Sequence, residues 1–210
     1  MARVRDPKET RRRILGAARE EFWRNGYRAG SLNGIVEAAG VTKGALFHHF
    51  RDKQALALAV LEEVLAPEWR QHWIEPMESS GAGEDVLQGL GRLLAGELER
   101  IKTAGDEGPL VRGAALVHFA SDLGEADEAL RERVGELFDE WHGAVARLLA
   151  QGQTAGSVHP NITPDDEAAF LVSMLAGVSI VGKSTRRISF FQAAFRAATA
   201  YLETLRAPSA

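Results

Sequence analysis

Apolar residues recur along this chain with the spacing of an α-helix. Over residues 8–25, Ile14, Leu15, Ala18 and Phe22 step by three or four positions and form one stripe. The longest continuous pattern of this kind spans 126–151. Strict alternation of apolar and polar residues, which is typical of a half-buried strand, is not found. The pattern therefore predicts an all-α protein.

Capping residues and helix breakers set the boundaries of the predicted helices. Ser31 and Thr42 are N-cap residues, and Gly26 and Gly40 are stop signals. We expect Pro67 to kink or split a fourth helix, because proline lacks the N–H donor and clashes with the preceding turn. The predicted helices span 8–25, 31–38, 42–50, a segment from 53 that contains Pro67, 84–103, 110–122, 126–151, 165–183 and 187–206.

Two short helices separated by a glycine turn predict a helix-turn-helix over residues 31–50. Ile35 would bury the first helix, and Leu46 and Phe50 would pack the second against it. In such a motif the N-terminal residues of the second helix contact base edges in the major groove. Its outer side would then carry Lys43, Gly44, Ala45, Phe47 and His48.

The charge of the chain is unevenly distributed. The net charge is −4, yet residues 1–53 carry 12 Lys and Arg against 6 Asp and Glu, a net charge of +6. A basic segment on an acidic body favours binding to a polyanion, and a chance excess of surface arginine is the alternative. Arg11, Arg12 and Arg13 could contact the DNA backbone or could form a solvated helix face.

Several classes of function and site are excluded or disfavoured by composition. The chain has no cysteine, so disulfides, thiolate zinc sites and cysteine nucleophiles are excluded. The histidines lack metal-ligand spacing, and no phosphate loop or nucleophile elbow is present, so we expect no metal, no cofactor and no enzyme activity. The longest apolar run, 168–182, is too short for a membrane span of ~20 residues. We expect a cytoplasmic protein without a membrane partner.

The N-terminal segment resembles the DNA-binding domain of the TetR family of transcriptional regulators. The resemblance covers residues 8–56 and includes Arg13-Ile14-Leu15-x-Ala17-Ala18 and Phe22-x-x-x-Gly26-Tyr27. It rests above all on the run Ser31-Leu32-x-x-Ile35-x-x-Ala38-Ala39-Gly40-Val41-Thr42-x-Gly44-x-Leu46-Phe47-x-His49-Phe50-x-x-Lys53-x-x-Leu56.

This resemblance implies a DNA-binding domain over 1–53 and a helical ligand-binding and dimerisation domain over 54–210. By position, Thr42, Lys43, Phe47, His49 and Lys53 match residues that usually contact DNA in the family. The family usually has tyrosine where this chain has Phe47, so a hydroxyl bond to phosphate is not available there. His48 precedes His49, and either could reach a phosphate; His49 could instead simply pack under the domain.

Two further sets of residues are candidates for the C-terminal domain. A pocket for an unidentified small-molecule effector could be lined by aromatic and polar residues, although most of them could equally be plain core: Trp69, Trp73, Arg112, His118, Phe119, Trp141, His142 and Met174. The resemblance implies a homodimer through the last two helices. Aromatic residues on one side of the final helix are the interface candidates, with burial inside one subunit as the alternative: Phe190, Phe191, Phe195 and Tyr201.

The function predicted from these observations is that of a dimeric repressor. It would bind a pseudo-palindromic operator in double-stranded DNA and leave it when a small-molecule effector binds. An activator role, a helical enzyme and a helical adaptor that binds protein instead of DNA are the alternatives that the sequence leaves open.

Overall fold

The computed structural model describes residues 6–79, 85–103, 115–123, 127–185 and 187–208. In these ranges the chain is helical almost throughout and contains no strand beyond one isolated bridge between Val158 and Arg206. The prediction of an all-α fold is confirmed. The helices are α1 (Pro7–Ala29), α2 (Leu32–Ala39), α3 (Lys43–His49), α4 (53–78), α5 (Val86–Thr103), α6 (Ala115–Leu123), α7 (Glu128–Ala155), α8 (Pro164–Thr185) and α9 (Ile188–Thr204).

The chain divides into two compact units. The first unit contains residues 1–68 and 115–135, and the second contains 69–114 and 136–210. Each unit is built from two separate stretches of the chain, and the boundaries between the units fall within α4 and α7.

Helix α1 supports the first unit with one buried stripe. Asp6 caps its first turn, where the carboxylate accepts the N–H of Lys8 at 2.9 Å. Ile14, Ala18 and Phe22 are buried, as the spacing predicts. The helix extends to Ala29 instead of ending at Gly26, but Gly26 takes φ 78° and ψ 167° and so interrupts the helical backbone at the predicted position.

Pro67 does not end helix α4. The helix consists of α-helical Lys53–Val60, π-helical Leu61–Leu65, α-helical Ala66–Trp69, π-helical Arg70–Ile74 and α-helical Glu75–Glu78. In the turn that precedes the proline, the N–H of Ala66 bonds to the carbonyl of Leu61, five residues back. This wider turn alters the hydrogen-bond pattern around the residue that lacks a donor, so the proline perturbs the helix without terminating it.

The second unit is organised around large buried side chains of α5, α7 and α9. Trp141, Leu87 and Phe191 are each 1% exposed. Gly182 on α8 lies under the ring of Phe191, and a Cβ at that position would overlap the ring. Helices α8 and α9 therefore approach each other at a position that only glycine can occupy.

Two predicted features lie wholly or partly outside the described residues. The predicted helix over 110–122 is described only from Ala115, and Arg112 is not among the described residues. Within the described part of the chain, no helix carries an apolar stretch able to cross a lipid bilayer.

Candidate functional site

The two short helices α2 and α3 are fixed by local capping. Ser31 accepts the N–H of Gly34 at 3.2 Å, and Thr42 accepts the N–H of Ala45 at 3.1 Å. Between the helices Gly40 takes φ 60° and ψ 40°, a left-handed conformation that ends α2. Serine and threonine at N-caps and glycine at the turn thus produce the helix-turn-helix that the sequence predicts.

Helix α3 has a buried side and an exposed side. Leu46 is fully buried, and Phe50 closes the helix as a buried C-cap residue. The exposed side carries Thr42, Lys43, Gly44, Phe47 and His48, while Ala45 and His49 are half-buried. The ring of Phe47 is 41% exposed. The exposed part of the ring is accessible to an external contact.

The cations of α1 are used differently from one another. Arg13 donates to the carbonyl oxygens of Ala39 and Gly40, the latter at 3.1 Å, and so braces the turn between α2 and α3. Arg12 pairs with Glu9 at 2.9 Å on the same helix. Arg13 is therefore a structural residue of the motif, an outcome that neither sequence alternative for the three arginines included.

Lys43 and Lys53 also differ in whether they have partners within the protein. No described residue accepts a hydrogen bond from the exposed ammonium of Lys43 or forms an ion pair with it. Lys53 is half-buried; its Nζ donates to the carbonyl oxygen of Arg28 at 2.9 Å and lies 5.2 Å from the ring centroid of Tyr27. Burial lowers the pKa of Lys53, while Asp122 and Glu21 act in the opposite direction. Lys53 therefore binds a carbonyl oxygen in the last turn of α1, and the ammonium of Lys43 is the more accessible of the two to an external ligand.

His49 lies at the C-terminal end of α3, and its ring centroid is 5.4 Å from that of His48. Burial, together with the nearby His48 and Arg11, lowers the pKa of His49. A neutral imidazole can donate one N–H to a phosphate oxygen but supplies no charge.

Three of the residues predicted to form a pocket come together in the second unit. Trp73, Trp141 and Met174 line a cavity of about 400 Å³, its open mouth included. Trp69 packs against the same tryptophans, with ring centroids 4.8 Å from Trp141 and 6.1 Å from Trp73, but does not line the cavity. The other lining residues, which the sequence analysis did not identify, are Met77, Leu90, Leu93, Leu94, Val145, Leu171, Val172, Leu175 and Leu202.

The remaining pocket candidates lie elsewhere. His118 and Phe119 belong to the first unit, where the ring of His118 is 4.9 Å from that of Trp23. They line a separate space of about 260 Å³. His142 is half-buried and donates Nε2–H to the carbonyl oxygen of Asp165 at 3.0 Å. The structure therefore does not bring the predicted set together at one site.

The interface predicted on the last helix needs correction. Phe191 is 1% exposed and Phe195 is 5% exposed within a single chain, so both belong to the core of the second unit and offer no surface to a partner. Phe190 and Tyr201 are half-buried, and the hydroxyl of Tyr201 donates to the carboxylate of Glu167. The sequence alternative of burial inside one subunit is the correct one for Phe191 and Phe195.

A different set of apolar side chains is exposed on α8 and α9. Phe170 is 49% exposed, and Ile180, Val181 and Ile188 are 40–41% exposed. The sequence contains a signal for Phe170, Ile180 and Val181, because the run 168–182 is apolar on nearly all sides of its helix, and a helix buried on one side only would not be.

Comparisons with known proteins agree with this architecture. Residues 14–60 match the profile of bacterial regulatory proteins of the tetR family, and residues 89–198 match that of the tetracyclin repressor-like C-terminal domain. The second match alone covers more than half of the chain.

Individual relatives are named as regulators. The chain is 29% identical over 184 residues to the A-factor receptor protein of Streptomyces griseus, which covers 88% of this chain and 59% of that protein. It is 24% identical over 176 residues to the HTH-type transcriptional repressor DhaR of a Mycobacterium species, covering 84% of this chain and 83% of DhaR. The chain therefore spans less than two thirds of the first of these relatives.

The fold is also found among solved structures. A TetR transcriptional regulator from Chloroflexus aurantiacus superposes with a TM-score of 0.82 at 23% identity, over 96% of this chain and 98% of that one. At this identity the similarity concerns the fold.

Proposed function

Because the chain belongs to the TetR family of bacterial regulatory proteins, we propose that it is a ligand-responsive transcriptional repressor that binds operator DNA as a homodimer. Its α3 enters the major groove, and a small-molecule effector bound in the second unit releases it. Since the chromosome lies in the cytoplasm, that is the proposed location.

The observation that carries the proposal is the exposed side of α3. Lys43, Phe47 and His48 are exposed on a helix whose opposite side holds the fully buried Leu46. Lysine supplies a phosphate or guanine contact, and the Phe47 ring can contact a thymine methyl group. Thr42 accepts the N–H of Ala45 but keeps its own hydroxyl proton, which remains available for a phosphate oxygen.

The proposed dimer uses the exposed apolar residues of α8 and α9. Phe170, Ile180, Val181 and Ile188 are large apolar side chains that are 40–49% exposed, and burial in a subunit contact would remove them from water. A two-fold dimer would present two copies of α3 to half-sites about 34–36 Å apart along the DNA.

Release by an effector is a matter of differential binding. An effector lowers operator affinity only if it binds more tightly to the conformation whose two α3 helices do not fit successive grooves. A hundredfold loss of operator affinity requires a coupling free energy of about 2.7 kcal/mol between the two sites.

The proposal is tested by fluorescence anisotropy with labelled DNA taken from upstream of the gene that encodes this chain. We expect sequence-preferring binding whose logarithm falls linearly with the logarithm of the salt concentration. Lys43→Ala should reduce the magnitude of this slope by about one per subunit, because each phosphate contact releases about one counterion. Lys102→Ala is the matched control, since Lys102 pairs with Glu99 at 2.6 Å on α5, in the other unit.

Two outcomes would contradict the proposal. Equal binding to the upstream DNA and to scrambled DNA would remove the sequence-reading role of α3. A salt slope that is the same for Lys43→Ala as for Lys102→Ala would show that Lys43 does not contact a phosphate.

For Phe47→Ala we expect a changed preference among operator sequences, whereas an equal loss on all sequences would show that the ring does not read bases.

A further inference from the structure

The cavity of the second unit is lined by apolar side chains contributed by α4, α5, α7, α8 and α9. Among the described residues, its walls include Met77, Leu94, Leu171 and Met174, and the two tryptophans Trp73 and Trp141. None of the lining residues is charged, and the indole N–H of a tryptophan is the one kind of polar side-chain group among them. The space of about 400 Å³ includes the solvent at its open mouth, so the enclosed part is smaller than this figure.

The composition of these walls determines which ligands can enter. An ionised group moved from water into such surroundings loses its hydration and finds no countercharge among the lining residues. Apolar ligand surface, in contrast, gains free energy in proportion to the area removed from water. The cavity therefore favours neutral, apolar molecules over carboxylates, phosphates and ammonium ions.

Trp73 adds one specific requirement. Its side chain is 8% exposed, and its indole nitrogen is buried without a hydrogen-bond partner among the described residues. A buried N–H without an acceptor is costly and uncommon, so a group that supplies an acceptor is favoured at that position. The indole nitrogen of Trp69 is buried and unpartnered in the same way, but Trp69 does not line the cavity.

Resting on the proposed function, we propose that the effector is an uncharged, largely apolar molecule with a carbonyl or ether oxygen, and that this oxygen accepts the indole N–H of Trp73. The apolar walls supply most of the affinity, and the single hydrogen bond selects ligands that carry an acceptor.

The test uses three probes of similar size: 4-phenylbutan-2-one, butylbenzene and 4-phenylbutanoate. Binding to the full-length protein is followed without DNA by tryptophan fluorescence, because three of the four tryptophans, Trp69, Trp73 and Trp141, lie in ring contact with one another beside the cavity. We expect both neutral probes to bind, the ketone about tenfold more tightly than the hydrocarbon, and the carboxylate to bind at least tenfold more weakly than the ketone.

A pair of matched variants identifies the donor. Trp73→Phe keeps an aromatic ring but removes the N–H, so the ketone should lose its tenfold advantage while butylbenzene binding changes little. Trp69→Phe makes the same substitution at the neighbouring residue that does not line the cavity, and should leave the advantage intact. The remaining tryptophans report binding in each variant, and circular dichroism verifies that each is folded.

Several results would overturn the inference. These are failure of both neutral probes to bind up to their solubility limits, tighter binding of the carboxylate than of the ketone, and equal affinities of ketone and hydrocarbon in the unaltered protein. A ketone advantage that persists in Trp73→Phe would remove the assigned donor. The probe series needs no variant and no DNA, so failure of the effector assignment is distinguishable from failure of operator binding, which the anisotropy titration measures separately.

Discussion

The buried carboxylate of Asp127 should be a measurable source of stability for the first unit. It accepts the hydroxyl of Tyr27 at 3.0 Å, the side-chain amide of Gln54 at 2.9 Å and the N–H of Leu130 at 3.2 Å, and it is 8% exposed. These bonds join the N-terminus of α7 to α1 and α4 within that unit. Tyr27→Phe removes one of the three and leaves the other two in place.

The expected magnitude follows from the charge of the acceptor. A hydrogen bond to an ionised group contributes about 1.5–3 kcal/mol. A loss of about 2 kcal/mol lowers the melting temperature of a chain of this size by roughly 4–8 °C. Asp127→Asn should also destabilise, and the double variant should lose about 1–2 kcal/mol less than the sum of the single losses, because Tyr27→Phe removes the donor of this hydrogen bond and Asp127→Asn removes the charge of its acceptor.

The pH dependence supplies an independent check. Burial would raise the pKa of Asp127, but the bonds from Gln54, Leu130 and Tyr27 outweigh it and hold the pKa below its usual value. The stabilisation is therefore fully present above the unfolded pKa of about 3.9 and is lost as the pH falls through the lower folded value. Burial and the bond to Asp127 raise the pKa of Tyr27 to about 12, so its contribution is lost as the pH rises from about 10 through that value.

Urea unfolding of the four proteins of this cycle, followed by circular dichroism at pH 7 and at several lower values, measures these quantities. Asp139→Asn is the control, because Asp139 is an exposed carboxylate on the same helix α7. A coupling energy near zero, or a difference between the unaltered protein and Asp127→Asn that stays constant as the pH falls from 6 to 2, would refute the reasoning.

Two predictions concern glycines. Gly182→Ala should reduce the free energy of unfolding by about 1–3 kcal/mol or more, because the new Cβ overlaps the ring of Phe191; Gly177→Ala on the same helix, where nothing lies within 4 Å, should not. Gly26→Ala should cost about 1–3 kcal/mol, since φ 78° and ψ 167° suit glycine alone and the Cβ would lie 2.5 Å from a carboxylate oxygen of α6. Gly16→Ala on the same helix should be neutral or stabilising. Urea titration measures all four, and equal effects within either pair would contradict the assignment.

The sequence was sufficient to predict the all-α fold and the helix-turn-helix, since both depend on local chemistry. Ser31, Gly40 and Thr42 act through hydrogen bonds to residues within a few positions of themselves, so their effect can be inferred from neighbouring letters. The DNA contacts assigned to Thr42, Lys43 and their neighbours stay predictions that the proposed titrations will test.

The residues that line the cavity, and those exposed on α8 and α9, are determined by how the helices pack against one another. This packing cannot be inferred from neighbouring residues in the sequence. Phe191 and Ile188 are three positions apart on α9, and which of them is buried depends on how that helix is rotated against α8. Likewise, Trp73 and His118 are both plausible pocket residues by composition, but helix packing places them in different units. The hydrogen bond from Arg13 to Ala39 joins residues 26 positions apart, so it could not be inferred from the neighbouring arginines in the sequence.

The close approach at Gly182 also constrains how the second unit can move. Sliding α9 along α8 by one helical turn, about 5.4 Å, would bring the ring of Phe191 against a position that carries a side chain. The packing of Phe191 on Gly182 therefore fixes the position of α9 along the axis of α8. Ile180, Val181 and Ile188 then keep fixed positions relative to one another. In a dimer joined through these residues, each pair of α8 and α9 could rotate as a rigid body, but the two helices could not slide past each other.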